Sequence, residues 1–349
     1  LGFVGASEPI VRVAWATGLV SAALSAALLV QVLRMRRRLA ARKRRREEVF
    51  ARWRPLLCEV AAGGAPALPA VAPEDEDDFL LLWVQLLDAV RGAAAARLAA
   101  AGDALGAREL ALARIGAGDA LRRVLALRTL GHVGRREDWG EALRWLDDPR
   151  AYLSLAAARA IVHVDPEAAA DEIVPRLVAR GDWPVPLFAV VLADASRERL
   201  SVRMRALCGS LPPRALLRLL PLASLADDGV IHEILAPLLQ PAQDPEVLSA
   251  ALRHVRTPAL LPAVRRASLH EVWSVRVQAA AALGRVGEPR DRDRLVQLLR
   301  DPEWWVRYRA AQALAARFAA PDELVTLAAG LRDRFARDIV SQAMAEARE

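Results

Sequence analysis

The stretch DRLVQLLRDPEWWVRYRAAQALA, Asp293 to Ala315, decides the fold. It reads as a short Leu-rich helix, an Asp-Pro break, and a second helix with apolar residues at Val306, Ala310 and Leu314. Asp suits the capping position before a helix, and Pro suits its first turn. One unit earlier, VRVQAAAALGRVG (Val275 to Gly287) aligns with VRYRAAQALAARF (Val306 to Phe318), so the anchors Leu283 and Leu314 lie 31 residues apart. A further step of 31 reaches Leu252, in DPEVLSAALRHV. Upstream, Leu130, Ile161 and Leu192 keep the same interval. The 60 residues from Leu192 to Leu252 hold two shortened units, of which the one around RALLRLLPLASL is degenerate. No such unit can bury its apolar face alone, so the units must stack.

Each unit is expected to be a helix pair. Second helices are expected to begin after Asp148-Pro149, Asp165-Pro166, Asp244-Pro245 and Asp301-Pro302. Ala126, Ala157, Ala279 and Ala310, four before their anchors, would let successive second helices approach closely. The period runs from about residue 118 to the end, and 79–117 reads as one or two worn units.

These residues resemble the bacterial HEAT repeat of the PBS-lyase-like subtype. Asp301, Pro302, Val306, Arg307, Ala310 and Leu314 match its pattern, as do Val275, Arg276, Ala279, Leu283 and Gly284. The resemblance implies an all-α, HEAT-type α-solenoid of stacked helix pairs whose second helices line a concave surface. It fixes no single activity, because the fold serves many partners.

At the other end, VAWATGLVSAALSAALLVQVL (Val13 to Leu33) carries no charge. At 1.5 Å per residue it is long enough for a single transmembrane helix. Nine basic residues follow at once: Arg34, Arg36, Arg37, Arg38, Arg42, Lys43, Arg44, Arg45 and Arg46. The positive-inside rule then puts the C-terminal side in the cytoplasm, with the N-terminus out. A cleaved signal peptide would carry its charge before the apolar run, and here it lies after. The expected organisation is a short extracytoplasmic tail (1–12), the transmembrane helix (13–33), a basic juxtamembrane helix (34–61), a Pro/Gly/acidic linker (62–78) and the solenoid (79–349). Among 49 basic residues Lys43 is the sole lysine, and asparagine is absent, a bias that points to a GC-rich bacterial genome; with the apolar span, the expected location is a bacterial inner membrane.

Locating the charge excludes one class of partner. The chain carries +7, and the nine basic residues of 34–46 leave a net −2 elsewhere. The solenoid is then near neutral, which argues against a basic groove for nucleic acid. The basic run would meet anionic lipid headgroups, or a specific acidic partner. Ala14, Gly18, Ala22 and Ala26 share one helix face, which suits a partner helix or a second copy, although an Ala-rich span produces such spacing by chance.

Catalytic patterns are missing: no GxxxxGK[ST], GxGxxG after a strand, HExxH or GxSxG occurs. Cys58 and Cys208 are far apart and read as free thiols. No cofactor or metal is expected. His132, His163 and Asp194 occupy one slot, two after the anchors of three neighbouring units, and could meet. That slot can hold a metal, or it can cap helix carbonyls. Trp273 and Trp304 lie ten before their anchors, and Trp183 and Trp305 nine before. A row of indoles along one edge suits either a protein partner or packing between units. Arg276 and Arg307, with Arg123, form a ladder seven before the anchors, again readable as partner contacts or as bonds between units.

The expectation is a membrane-anchored adaptor without enzyme activity. The layout is similar to HEAT proteins found alongside membrane glycosyltransferases of envelope or exopolysaccharide synthesis, which makes such an enzyme a candidate partner. The alternatives are an enzyme on the same scaffold, bilin-lyase-like or DNA-glycosylase-like, and a homo-oligomeric membrane organiser.

Overall fold

A computed structural model describes residues 7–330 and 334–346, and every regular element among them is helical. Residues 1–6 of the expected tail and the side chain of Ala14 lie outside the described residues. The chain separates by contacts into two units, Leu1–Arg114 and Ile115–Glu349. The sequence led us to expect one solenoid over 79–349; instead 79–114 group with the N-terminal helix.

In the first unit, α1 (Ser7–Ala62) runs without interruption through the apolar span and the basic stretch. Its 56 residues make a rod about 84 Å long. None of the apolar window within it is buried in the folded unit, whereas Val49, Trp53, Leu57 and Val60 form a buried stripe further on. Helical spacing puts these four on one face, which packs against α2 (Glu76–Ala89) and α3 (Gly92–Ala104). Trp53 meets Phe79 edge-on, ring centres 4.7 Å apart. The Trp83 indole donates to the Leu98 carbonyl at 2.8 Å and lies so close to Gly102 that a Cβ there would meet the ring at 2.3 Å. Gly63, at φ 99°, ends α1, with Gly64 N–H bonded to the Glu59 carbonyl.

Residues 63–75 are the irregular part of the expected linker, but their end is not a free tether. Asp75 is buried and accepts from Arg45 at 2.9 Å, with Arg52 at 3.5 Å. Arg45 also pairs with Glu74, and Arg46 with Asp78. Arg114 of α4 (Ala107–Ala117) holds Glu76 and Asp77. The acidic start of α2 thus neutralises part of the basic run.

The second unit is a series of helix pairs. Its second helices are α5 (Ala120–Val133), α7 (Ala151–Val164), α9 (Val185–Leu192), α11 (Pro213–Leu219), α13 (Pro245–Arg253), α15 (Trp273–Val286), α17 (Trp304–Ala313) and α19 (Arg334–Glu346). Between them come α6 (Trp139–Leu143), α8 (Pro166–Ala179), α10 (Arg197–Cys208), α12 (Ile231–Leu235), α14 (Leu261–Ala267), α16 (Arg292–Leu298) and α18 (Pro321–Ala329). Successive second helices pack on one another, except that α9 meets the 3-10 turn after α11 rather than α11 itself. Leu130, Ile161, Leu192, Leu252, Leu283 and Leu314 are all buried, and so are Ala126, Ala157, Ala279 and Ala310. The degenerate unit is present as α11 and a 3-10 turn, with Leu222 buried where an anchor belongs.

The Asp-Pro expectation needs correction. Asp244 caps α13 by accepting from Glu246 and Val247 N–H, as expected. Asp165-Pro166 starts α8, which is a first helix. Asp148 and Asp301 accept from N–H groups two residues on, at Arg150 and Glu303. There the Asp-Pro forms a turn ahead of the helix, and Pro is not the first helical residue.

Candidate partner-binding surface

The junctions between repeat units are built largely from arginine. Arg276 bonds both oxygens of Asp301 in the next unit, and its other amino group reaches the His270 and Glu271 carbonyls. Arg307 donates to the Asp301 and Pro302 carbonyls of the loop before its own helix. Both were candidates for partner contacts; the structure gives them internal work instead, because each guanidinium sits over the free carbonyls of the loop that precedes its helix. Arg123 differs: it lies over the Trp145 ring at 4.7 Å.

The histidine slot also resolves. His132 and His163 lie side by side, ring centres 5.8 Å apart, and His163 Nε2 is 3.7 Å from Asp194. The sequence placed these three together correctly. Among the described residues, however, no group of histidine, cysteine, aspartate and glutamate is arranged to hold a metal. His163 Nδ1 donates to the Gly131 carbonyl at 3.1 Å, and Arg285, in the same slot of a later unit, donates to the Leu252 and Val255 carbonyls. The slot caps the end of the preceding second helix. Burial, reinforced by the nearby His132, holds His163 below the ordinary histidine pKa.

The aromatic edge is only partly as expected. Trp273 and Trp304 are the first residues of α15 and α17, and with Trp305 they are 38–51% exposed. Trp304 stacks on Tyr308 at 5.1 Å and meets Trp305 edge-on at 4.6 Å. The Tyr308 hydroxyl donates to Glu346 of α19, which fixes this cluster. Tyr152 and Leu121, in the slot of Trp305, are exposed as well. Sequence inspection passed over them because neither is tryptophan. Trp183 does not belong to this edge, being only 1% exposed. It stacks on Phe188 at 3.9 Å, and its N–H donates to Ser154 at 2.9 Å. Helix α9 is short and begins two residues after Trp183, so the indole lies in the loop and turns inward.

On α1, Gly18, Ala22 and Ala26 are exposed among the described residues, as are all nine basic side chains of 34–46. Of these, Arg45 and Arg46 are engaged with the acids at the start of α2.

An arrangement of stacked helix pairs with an exposed aromatic rim is suited to holding another protein. No curated protein matches this chain. The family model of HEAT repeats, a repeat type that generally mediates protein–protein interactions, matches residues 232–315 and 257–347, which span α12 to α19.

Proposed function

We propose that this chain is a membrane-anchored scaffold whose repeat unit binds a protein partner at the cytoplasmic face of a bacterial inner membrane. The observation that carries the reading is the division of α1. The described side chains of its uncharged apolar span are all exposed, while its C-terminal part supplies core residues to a folded unit. A core helix of a soluble domain would bury that span. A bilayer satisfies it instead, and the basic run that follows sets the orientation. The anchor raises the concentration of the repeats near membrane-bound partners. The partner is a protein because the repeat unit offers an exposed aromatic edge at Trp273, Trp304 and Trp305. We assign no catalytic step to it.

The test has two arms. A tag before α1 should be open to protease from outside the cell, and the protein should resist extraction by alkaline carbonate. Crosslinking from native membranes should recover a partner that Trp304→Ala/Trp305→Ala loses. Release by carbonate would remove the anchor. Equal recovery by the folded double variant would remove the aromatic edge.

A further inference from the structure

The basic run after the apolar span is not one uniform patch. Arg45 and Arg46 are drawn to the acids at the start of α2, Asp75 and Asp78, each at 2.9 Å. Arg52, further along the same helix, also faces Asp75. Arg34, Arg36, Arg37, Arg38, Arg42 and Arg44 are exposed and make no ion pair or hydrogen bond among the described residues. These six lie nearest the apolar span, and the last of them, Arg44, is about 17 Å beyond Leu33 along the helix axis. The charges that the fold leaves open are thus the ones beside the span, and its own acids neutralise those farther out.

A groove of about 830 Å³ runs along this stretch of α1. Arg37 and Arg44 stand on one helix face, and between them Ala40 and Ala41 make a floor of methyl groups, which leaves room for a ligand. Arg42 lines the same end. Depth then decides which ligand. The headgroup layer is about 5–8 Å deep, and Arg37 lies about 6 Å past Leu33, within it. Side chains of a helix lean toward its N-terminus, which here is toward the span. Arg44 therefore reaches back toward the headgroups while its Cα stays outside them. Two acids line the groove, both at its far end. Asp75 is buried and already taken by Arg45 and Arg52. Glu48 lies one turn beyond Arg44, about 22 Å past Leu33 and clear of the headgroup layer.

We infer that this groove binds the head group of an anionic phospholipid, its phosphate held between Arg37 and Arg44 over Ala40 and Ala41, with Arg42 beside it. The inference rests on α1 spanning a bilayer and is separate from the protein partner of the repeats. Guanidinium groups bind phosphate oxygens through paired, charge-assisted hydrogen bonds. A zwitterionic lipid offsets its phosphate with its own ammonium, so a lipid of net negative charge is preferred. The charge run alone would attract headgroups all round the helix; the groove gives one face a defined place for one of them. Such a site fixes the depth of α1 and concentrates the repeats where anionic lipid is enriched.

The test is native mass spectrometry of the full chain released from nanodiscs of equal phosphatidylglycerol and phosphatidylcholine, counting the lipids it retains. Phosphatidylglycerol should be enriched about tenfold or more, and Arg37→Gln/Arg44→Gln should lower that enrichment about fivefold or more. Arg36→Gln/Lys43→Gln is the matched control, with the same charge loss and spacing at nearly the same depth, but about 100° round the helix. It should keep most of the enrichment. Equal loss from both pairs leaves only diffuse attraction and overturns the site, as does equal retention of the two lipids by the parent chain. Displacement of the retained lipid by millimolar glycerol 3-phosphate overturns the lipid in favour of a free phosphate, and displacement by polyglutamate in favour of an acidic protein. A chain that does not enter nanodiscs at all removes the anchor, and this site with it.

Discussion

Arg276 and Asp301 tie two consecutive repeat units together: Nε and one amino group of Arg276 donate to the two carboxylate oxygens at 2.7 and 2.9 Å. Both side chains are largely withdrawn from water. Arg123 and Asp148 stand in the same sequence relation, but there Arg150 has captured the carboxylate and Arg123 rests on Trp145.

Removing one partner of such a pair leaves a poorly solvated charge behind. Asp301→Ala should therefore destabilise the repeat unit by about 3 kcal/mol. Urea unfolding followed by circular dichroism measures it, and a midpoint equal to that of the parent chain would show that the bond is only decorative.

Gly284 lets α15 and α17 touch. A Cβ there would lie 2.9 Å from the Ala313 Cβ and 3.2 Å from its Cα, and backbone cannot swing aside. Gly284→Ala should cost about 1–2 kcal/mol by overpacking, despite its better helix propensity. Adding Ala313→Gly should recover part of the loss. A double-mutant cycle with no coupling would refute the close contact.

The indoles should fall into two classes. Trp183→Ala empties a stacked, fully buried site and should cost about 3–5 kcal/mol. Trp273→Ala, at an exposed helix start, should cost less than about 1 kcal/mol. Similar melting temperatures for the two variants would contradict the separation of core from edge.

Acid should weaken the repeats before the carboxylates titrate. His163 and His254 are both held below the ordinary histidine value, mainly by burial. Each takes up its proton more readily unfolded, where the pKa is about 6.5. Stability is full above about pH 6.5 and falls as pH drops toward the folded value, about 4 for His254. Thermal melting across that window should show the slope, and His254→Gln should flatten it. A slope identical in the variant would assign the effect elsewhere.

Much of the fold was legible because repetition exposes it. A 31-residue interval between Leu130, Ile161 and Leu192, and again between Leu252, Leu283 and Leu314, required stacked helix pairs, and every one of these anchors is buried. The same register brought His132, His163 and Asp194 together correctly. The function of each slot was less legible, since one position can cap a carbonyl, as Arg285 does, or line a cavity, as His254 does.

The sequence by itself determined the helical class, the repeat, the uncharged span and the place of the basic excess, because periodicity and charge runs are local properties of the chain. Only the tertiary structure decided how the units divide, where each tryptophan points, and which arginines remain open. Those outcomes depend on partners distant in sequence. Asp75 claims Arg45 across 30 residues, Ser154 draws Trp183 inward across 29, and Asp301 holds Arg276 across 25. No local pattern reports such a pairing, because its energy exists only once the helices have packed.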